Sequence, residues 1–588
     1  MKKLLELITD EVMSAFEAAG YERTAGKVNV SNRPDLCEYQ CNGAMALAKQ
    51  LKCAPIQIAN NVVEKLAGSS VFAKVEAVMP GFINMNLSGE FLADYVRRQA
   101  VSEKFGLEAP EKPLKIVIDY GGPNVAKALH VGHLRPAVVG EAVKRICKYN
   151  GHDITGDVHL GDWGLPMGLV IYELQTRKPD LPYFDDSFTG DYPKEPPFTV
   201  ADLEEMYPTA SKKSKENADY KAKAMEATVK LQSGVRGYRA LWDHIINVSV
   251  TDMKRIYDKL NVKFDLWNGE SSVHAVIPEM VDYLKKNGYA YISEGALVVD
   301  VKEETDTKEV PPCMILKSDG ASLYNTTDCA TIMERTKEFD PDMMIYVTDK
   351  RQDLYFEQVF RCAHKTGLSK PETKLLHIGL GTMNGKDGKP FKTRDGGVMR
   401  LEYLLRDVCD EMYKKIKENK EISHEEAEKT AAVVGLSALK YGDLSNQPAK
   451  DYIFDMERFT SFEGNTGPYI LYTIVRIKSI LEKYKAEGKN IDYSKIRTPE
   501  NKAEKDLLNA ITFFAPAAES AFNELAPNRI CAFIYDLSNA LNTFYHETKI
   551  LTEPDEEKKQ GYIALIDLTR RMLETCIDML GFEAPERM

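Results

Sequence analysis

The stretch NVAKALHVGH, residues 124 to 133, places two histidines three positions apart with a glycine between them. Three kinds of site could use this pair: a metal site, a packed pair of structural histidines, or a phosphate site. A metal site normally adds a carboxylate or thiolate ligand and has no need of the small Gly132. A phosphate site explains more, because Gly132 lets a ligand approach the backbone, a helix begins here with free N–H groups, and Lys127 adds a positive charge. We therefore predict that His130, Gly132 and His133 contact a nucleotide phosphate, and the other two interpretations stay open.

A second segment with phosphate-binding character is GTMNGKDGKPFKTRDGG, residues 381 to 397. It holds five glycines and four basic side chains, and Lys389, Lys392 and Thr393 follow a lysine-x-x-lysine-hydroxyl spacing. Alone, such a segment is typical of an exposed basic turn. Paired with the histidines across one α/β domain, it predicts the second wall of a nucleotide site, although the histidine stretch follows neither GxxxxGK[ST] nor GxGxxG.

The elements around the histidines indicate a parallel sheet. The apolar run LKIVIDY ends in Gly-Gly-Pro-Asn, a helical periodicity then ends at Gly151, and HDITGDVHLGDWG follows as a second strand. Strand, turn, helix and strand in this order form a βαβ unit, whose ligands bind at the carboxyl ends of the strands. The pattern predicts an α/β chain with a Rossmann-like parallel-sheet domain, and it puts the histidine pair at the ligand-binding crevice.

The rest of the chain predicts three domains. Residues 1–110 mix an amphipathic helix with two short strands around Pro80, which indicates an α+β amino-terminal domain. Residues 111–400 carry the α/β pattern, interrupted by a Pro-rich, acidic and then Lys/Glu/Ala-rich insertion at about 175–240. From 401 to 588 amphipathic helical patterns dominate, which predicts an all-α helical bundle.

Composition narrows the class of protein. The 588 residues are 44% hydrophobic and 28% charged, as in ordinary globular proteins, and the net charge of −12 argues against a scaffold that binds nucleic acid by bulk attraction. No run of 18 uncharged apolar residues predicts a membrane span, and the first helix is amphipathic, unlike a signal peptide. The 10 cysteines are scattered without a Cys-x-x-Cys pair, so we expect reduced, packed thiols in a cytoplasmic protein that holds no zinc or other metal.

The two phosphate segments carry a family resemblance. HVGH near the start of the α/β domain and KPFKT near its end resemble the HIGH and KMSKS signatures of class I aminoacyl-tRNA synthetases. More narrowly, several segments resemble the arginyl-tRNA synthetases in order and over nearly the whole chain: PNVAKALHVGHLRPAVVGEAVKR, HLGDWG, KLQSG, SDGASLYNTTD, YVTDKRQDLYFEQVF, KPFKTRDGG, SFEGNTGPYILY and the ending APERM. The sequence departs from the family's usual glutamine after GDWG, where Pro166 stands and donates no hydrogen bond.

The resemblance implies an arginine pocket that chemistry also favours. A guanidinium is a planar fork of five donors that stays charged, so its pocket needs carboxylates and other acceptors. Tyr324 and Asp328 are four residues apart in a helical pattern and can reach one ligand together. By resemblance these two side chains meet the guanidinium, and Asp119 meets the amino group of arginine. The resemblance completes the amino-acid site with three further residues: Asn124, His130 and Gln352.

The resemblance also implies the reaction. The arginine carboxylate attacks the α-phosphate of ATP, which carries Mg²⁺, to give arginyl-adenylate and pyrophosphate, and the 2′-hydroxyl of the terminal tRNA ribose then takes the arginine. Catalysis is positioning and charge neutralisation. The residues expected to supply it are His130, His133, Lys127, Lys389 and Lys392. Contacts to tRNA(Arg) are expected from Tyr39 and Gln40 in the amino-terminal domain, and from Arg458 and Tyr469 in the helical bundle.

Other functions stay possible at this point: a class I synthetase for another amino acid, a small-molecule nucleotidyltransferase with a His-x-Gly-His turn, or a non-catalytic tRNA-binding paralogue. A cysteinyl enzyme would want zinc-binding thiolates, and a glutamyl enzyme a cationic pocket where Tyr324 and Asp328 stand. A nucleotidyltransferase would have no use for so large a helical domain. A non-catalytic paralogue predicts decay of the two phosphate segments, and both are intact. A monomer is the default expectation for a chain that supplies its own domains.

Overall fold

The computed structural model describes residues 1–391, 399–418 and 422–588. In the amino-terminal region, four helices pack on an antiparallel sheet of order β1–β2–β4–β3. Its two longest strands flank Pro80, which is where the alternating sequence pattern predicted them. The elements are α1 (Leu4–Ala18), β1 (Val28–Val30), β2 (Tyr39–Cys41), α2 (Gly43–Leu51), α3 (Pro55–Leu66), β3 (Phe72–Val78), β4 (Phe82–Leu87) and α4 (Gly89–Val101).

A parallel sheet forms the centre of the chain. Its strands lie in the order β11 (Lys374–Leu380), β10 (Met343–Asp349), β5 (Lys115–Tyr120) and β6 (Asp153–Asp157). Strand β5 is buried along its length except at Lys115, because helices cover both faces of such a sheet. The predicted βαβ unit is confirmed as β5, α5 and β6, with a single 3₁₀ turn at Val131–His133 before α5. The bounds are β5 (Lys115–Tyr120), α5 (Leu134–Tyr149), β6 (Asp153–Asp157), α6 (Leu165–Arg177), α7 (Val200–Glu216), α8 (Ala218–Gln232) and α9 (Arg236–Lys259).

The second half of the α/β region returns the chain to this sheet after a small antiparallel sheet of order β7–β8–β9. The carboxyl ends of β5, β6, β10 and β11 therefore open on one crevice. The bounds are α10 (Val276–Lys286), β7 (Ala290–Ser293), β8 (Ala296–Val299), β9 (Cys313–Leu316), α11 (Tyr324–Phe339), β10 (Met343–Asp349), α12 (Asp353–Thr366), β11 (Lys374–Leu380) and β12 (Met383–Asn384).

The carboxyl-terminal region is helical, as predicted, with one small departure. Strand β13 is two residues long and pairs in parallel with β12 of the α/β region, a long-range contact that helical periodicity cannot show. Within the described ranges, no helix is both long and apolar enough to cross a bilayer. The bounds are α13 (Leu401–Lys417), α14 (His424–Leu444), β13 (Tyr452–Ile453), α15 (Met456–Phe459), α16 (Gly467–Ala486), α17 (Lys502–Thr512), α18 (Phe514–Asn523), α19 (Asn528–Glu547) and α20 (Glu556–Met579).

Candidate active site

The two histidines form a compact turn between β5 and α5. The backbone N–H of Gly132 donates to Nδ1 of His130 at 3.1 Å, and the backbone N–H of His130 donates to Nδ1 of His133 at 3.0 Å. The two rings lie 3.9 Å apart between centroids. Because each Nδ1 accepts a hydrogen bond, each neutral imidazole carries its proton on Nε2, where it can donate to a ligand.

Both imidazoles are neutral at physiological pH. Burial lowers the pKa of His133 to about 3, and the nearby His130 and Lys127 add to this effect. Burial and the charge of Lys127 also lower the pKa of His130. Two neutral donors suit phosphate oxygens that are already paired with a magnesium ion, since they orient the anion without adding charge.

Gly132 makes room for a ring as well as for a ligand. A Cβ atom at this position would lie 2.8 Å from Cε1 of His130, closer than real contacts allow. A side chain here would therefore push the His130 imidazole out of its hydrogen bond with the turn.

A cavity of about 350 Å³ joins the histidine turn to the second predicted phosphate segment. His130 and Gly132 line one side, and Pro390 and Phe391 line the other. Lys389 is exposed at its rim, and Lys392 and Thr393 lie outside the described residues. Two arginines that the sequence analysis did not single out also line this cavity: Arg135, two residues after His133, and Arg351, next to Gln352.

Lys127 is half-buried and sits beside the insertion. Its Nζ lies 4.3 Å from the ring centroid of Tyr207 on α7, a cation–π contact. The insertion therefore reaches the turn that carries the histidines, and Lys127 does not line the 350 Å³ cavity.

Asp119 already has one cationic partner. Nη2 of Arg335 donates to Asp119 at 2.8 Å and to Asp157 at 2.7 Å, and all three side chains are buried. One guanidinium shared by two carboxylates leaves a net negative charge at the ends of β5 and β6. A positively charged amino group of a ligand bound at this end of the sheet would be attracted by that charge.

Asp328 and Tyr324 lie on α11, as the spacing predicted. Tyr324 is 67% exposed at the first position of the helix, and the half-buried Asp328 accepts a hydrogen bond from the hydroxyl of Tyr355 on α12. Burial raises the pKa of Asp328, and the charge of Asp119 adds to the increase. The carboxylates of Asp119 and Asp328 therefore repel each other across the crevice.

Glu270 is a third carboxylate of this group, and no motif or spacing in the sequence indicates it. Burial raises the pKa of Glu270 to about 8, and the charges of Asp328 and Asp162 contribute. Such mutual repulsion favours the binding of a cation, which would relieve it. Only the packing of the loop that carries Glu270 against β6 brings it here, where its backbone N–H donates to Leu160 at 3.0 Å.

The two remaining predicted arginine contacts border the same crevice. Asn124 is half-buried, and its backbone pairs with that of Gly161 beyond the end of β6. Gln352 is exposed at the start of α12. The structure therefore brings both residues to the carboxyl edge of the sheet.

The predicted tRNA contacts differ in exposure. Tyr39 is 4% exposed in the amino-terminal core, so its ring has no free face for a base, and this prediction finds no support in the structure. The amide of Gln40 donates to Asn84 at 2.9 Å. Arg458 is exposed, and the hydroxyl of the half-buried Tyr469 donates to Asn539 at 2.7 Å.

A better aromatic surface lies one helical turn from Tyr469. The guanidinium of Arg476 lies 4.8 Å from the ring centroid of Tyr472 and 4.9 Å from that of Tyr545. Tyr472 is 42% exposed and Tyr545 is 36% exposed. Exposed rings beside a guanidinium are the groups on which single-stranded bases stack.

Comparisons with known proteins agree with this geometry. Residues 98–456 match the model of the class I (R) tRNA synthetase catalytic domain, residues 2–87 match the arginyl-tRNA synthetase N-terminal domain, and residues 470–588 match the DALR anticodon-binding domain. The chain is 61% identical to the arginine–tRNA ligase of Agathobacter rectalis, with both chains covered completely. The chain belongs to the arginyl-tRNA synthetase family.

Other members of the arginyl-tRNA synthetase family support this assignment. The arginine–tRNA ligase of Alkaliphilus oremlandii is 56% identical over the full length of both chains. The solved arginyl-tRNA synthetases of Plasmodium falciparum and Thermus thermophilus superpose with TM-scores of 0.82 and 0.79 over all of both chains, at 22% and 21% identity, and so share the fold. The domain limits at 110 and 400 stay predictions, since a matched family span does not fix a structural boundary.

Proposed function

We propose that the chain activates L-arginine with ATP and transfers the arginine to the terminal ribose of tRNA(Arg). The observation that carries this proposal is the arrangement at the crevice, where the 350 Å³ cavity bordered by the histidine turn and a cluster of carboxylates lie at the carboxyl ends of one parallel sheet. An anion site beside a cation site suits a substrate pair of ATP and arginine. Membership of the arginyl-tRNA synthetase family supports the same reaction.

Adenylate formation needs no protein nucleophile. The arginine carboxylate attacks the α-phosphate in line, and pyrophosphate leaves with the magnesium that ATP brings as substrate. The Nε2–H groups of His130 and His133 hold phosphate oxygens in place, and Gly132 keeps the turn in this shape. Lys127, Lys389 and Lys392 neutralise charge, and the Thr393 hydroxyl adds a hydrogen bond.

Arginine is selected by the carboxylate cluster. Asp328 and Glu270 bind the guanidinium from two elements, and the Tyr324 hydroxyl adds an acceptor. Asp119 binds the α-amino group, because the single positive charge of Arg335 does not neutralise both Asp119 and Asp157. Three further residues complete the amino-acid site: Asn124, His130 and Gln352. A neutral isostere of arginine would leave these carboxylates unpaired, which opposes its binding.

For the transfer of arginine to tRNA, the helical region binds the anticodon. Arg458 and Tyr469 lie on the same region as the Arg476–Tyr472–Tyr545 surface, and exposed aromatic rings there support base stacking. Gln40 is the contact proposed in the amino-terminal domain. The 2′-hydroxyl of the terminal ribose then attacks the activated carbonyl.

The chain acts as a monomer in the cytoplasm. All ten cysteines lie within the described ranges as free thiols, which fits a reducing compartment. The monomer is supported by a chain that supplies catalytic and tRNA-binding domains together, and light scattering would test it.

Pyrophosphate exchange into ATP tests the proposal. Measured with and without tRNA, exchange is expected with arginine and with no other amino acid, and only when tRNA is present. Asp328→Ala should raise the KM for arginine at least tenfold and leave ATP binding intact, because one charged hydrogen-bond acceptor is worth about 1.5 to 3 kcal/mol. Asp407→Ala, an exposed aspartate on α13, is the matched control. Exchange with another amino acid would reject arginine specificity, and no exchange under any condition would favour a non-catalytic tRNA-binding protein.

A further inference from the structure

Three cysteines that are far apart in the sequence meet in the core of the α/β region. Cys313 begins β9, Cys329 lies on α11 and Cys362 lies on α12, and all three are 0% exposed. Their sulfur atoms lie within 4.8 Å of one another. Sequence spacing led us to expect isolated packed thiols, because the intervals of 16 and 33 residues match no metal-binding pattern.

The cluster is built from thiols alone. No carboxylate or imidazole among the described residues joins the three sulfurs. Most of the surroundings are apolar side chains of the same core; the amide of Asn325 donates to Cys313 Sγ at 3.7 Å, and the Thr366 hydroxyl lies beside Cys362. Hydrogen bonds from Cys329 and Cys362 also lower the pKa of Cys313.

The net charge of the complex decides which ion can bind to three thiolates in an apolar core. Structural zinc takes four ligands, and with three thiolates Zn²⁺ would leave a net charge of −1 and an open position. Three thiolates around Cu⁺ would leave −2, and an uncompensated charge is costly in an apolar core. A trivalent thiophilic centre needs three sulfurs and gives a neutral complex.

We propose that Cys313, Cys329 and Cys362 form a binding site for one trivalent arsenic atom, supplied as arsenite. In the reaction As(OH)₃ loses three hydroxyls, the three thiols lose their protons, and three As–S bonds form with release of three waters. No electron is transferred, so no oxidant is needed. The product is a neutral trigonal complex inside an apolar core.

The site lies directly behind the arginine pocket. Cys329 is adjacent to Asp328 on α11, and α12 carries both Cys362 and Tyr355, whose hydroxyl holds Asp328. Drawing the three sulfurs onto one atom moves α11 against α12, and with them the Tyr355–Asp328 contact. This effect on arginine use rests on the proposed function, whereas arsenic binding itself does not.

Intact mass spectrometry of the full chain treated with arsenite under reducing conditions tests the binding. We expect a gain of one arsenic atom and a loss of three hydrogens, and the adduct should be lost in Cys329→Ala. Cys147→Ala is the matched control, since Cys147 is an equally buried thiol on α5 without this cluster, and it should keep the adduct. A wild-type chain that takes up no arsenic, or a Cys329→Ala chain that keeps it, overturns the proposal.

A second measurement does not depend on the folding of a variant. X-ray absorption at the arsenic edge of the loaded wild-type chain should give three sulfur neighbours and no oxygen. Two sulfurs with one oxygen, or an intramolecular disulfide without arsenic, would refute the three-thiol site. In pyrophosphate exchange, loading should raise the KM for arginine at least tenfold and change the KM for ATP by less than twofold, and an added dithiol should reverse the effect. If arsenic binds through three sulfurs and the KM for arginine stays constant, the coupling to Asp328 is wrong and the site stands.

Discussion

Replacing Asp443 with asparagine should destabilise the chain and weaken ATP use together. Asp443 on α14 is fully buried and accepts from Nε of Arg135 on α5, with an N–O distance of 3.2 Å, and from the hydroxyl of Tyr452 at 2.7 Å. Nη1 of Arg135 donates to the backbone carbonyls of Gly381 at 2.6 Å and Lys450 at 3.1 Å. The Arg135 guanidinium on α5 therefore connects this helix to the loop before β12 and to α14.

The expected loss of stability follows from the buried charge of Arg135, which Asp443→Asn leaves without its carboxylate partner. Removing one partner of a buried ion pair costs about 3 to 5 kcal/mol, because the other charge stays buried. The two carbonyls and the Tyr452 ring, 5.0 Å from the Arg135 guanidinium carbon, remain, so the lower end applies. For a unit of about 150 to 250 residues, about 3 kcal/mol lowers the melting temperature by about 6 to 12 °C.

The assay compares Asp443→Asn with Asp407→Asn. Asp407 makes the same type of pair with Arg406, but both side chains are exposed, so its loss should cost at most about 1 kcal/mol. Because Arg135 also lines the 350 Å³ cavity, we expect the KM for ATP in pyrophosphate exchange to rise about tenfold only in Asp443→Asn. Equal melting temperatures for the two variants would refute the reasoning that this pair joins the domains.

Glu270, Lys440 and Gly132 each allow a separate test. Glu270, whose pKa is about 8, must lose its proton to bind a guanidinium, so the KM for arginine should rise about tenfold per pH unit below pH 8, and Glu270→Gln should flatten that profile. Burial lowers the pKa of Lys440 to about 7; the unfolded chain then binds more protons between pH 7 and 10, so the urea midpoint should rise with pH there, and Lys440→Met should remove the slope. Gly132→Ala should displace the His130 ring and lower kcat for exchange at least tenfold with little change in melting temperature, and a wild-type rate would show that the turn tolerates a side chain.

The turn from β5 to α5 and the placement of Tyr324 and Asp328 on one helix could be predicted because their signals are local. The turn from β5 to α5 is one contiguous stretch, so Gly132 and the two histidines indicate the turn and predict its contact with phosphate. The i, i+4 spacing likewise put Tyr324 and Asp328 on one helix. Here backbone geometry over a few residues fixes which side chains are neighbours.

Contacts between elements escaped the sequence, since they depend on how helices pack. The electrostatic coupling of Glu270 with Asp328, the hydrogen bond from Tyr355 to Asp328, and the Arg135–Asp443 pair all join residues that nothing in their spacing relates. The burial of Tyr39 is also a matter of packing, because strand β2 turns its ring into the amino-terminal core; its contact with tRNA, which the resemblance implies, stays a prediction without support from this geometry.

The sequence by itself determined the reaction class, the order of the domains and the position of the phosphate turn, because motif, periodicity and glycine placement are written along the chain. Only the tertiary structure decided which carboxylates lie close together at the crevice, which cations line the 350 Å³ cavity, and that three scattered cysteines meet in the core beside α11. These features depend on side chains from separate elements approaching within a few ångströms, and that proximity exists only after the sheet and helices have packed.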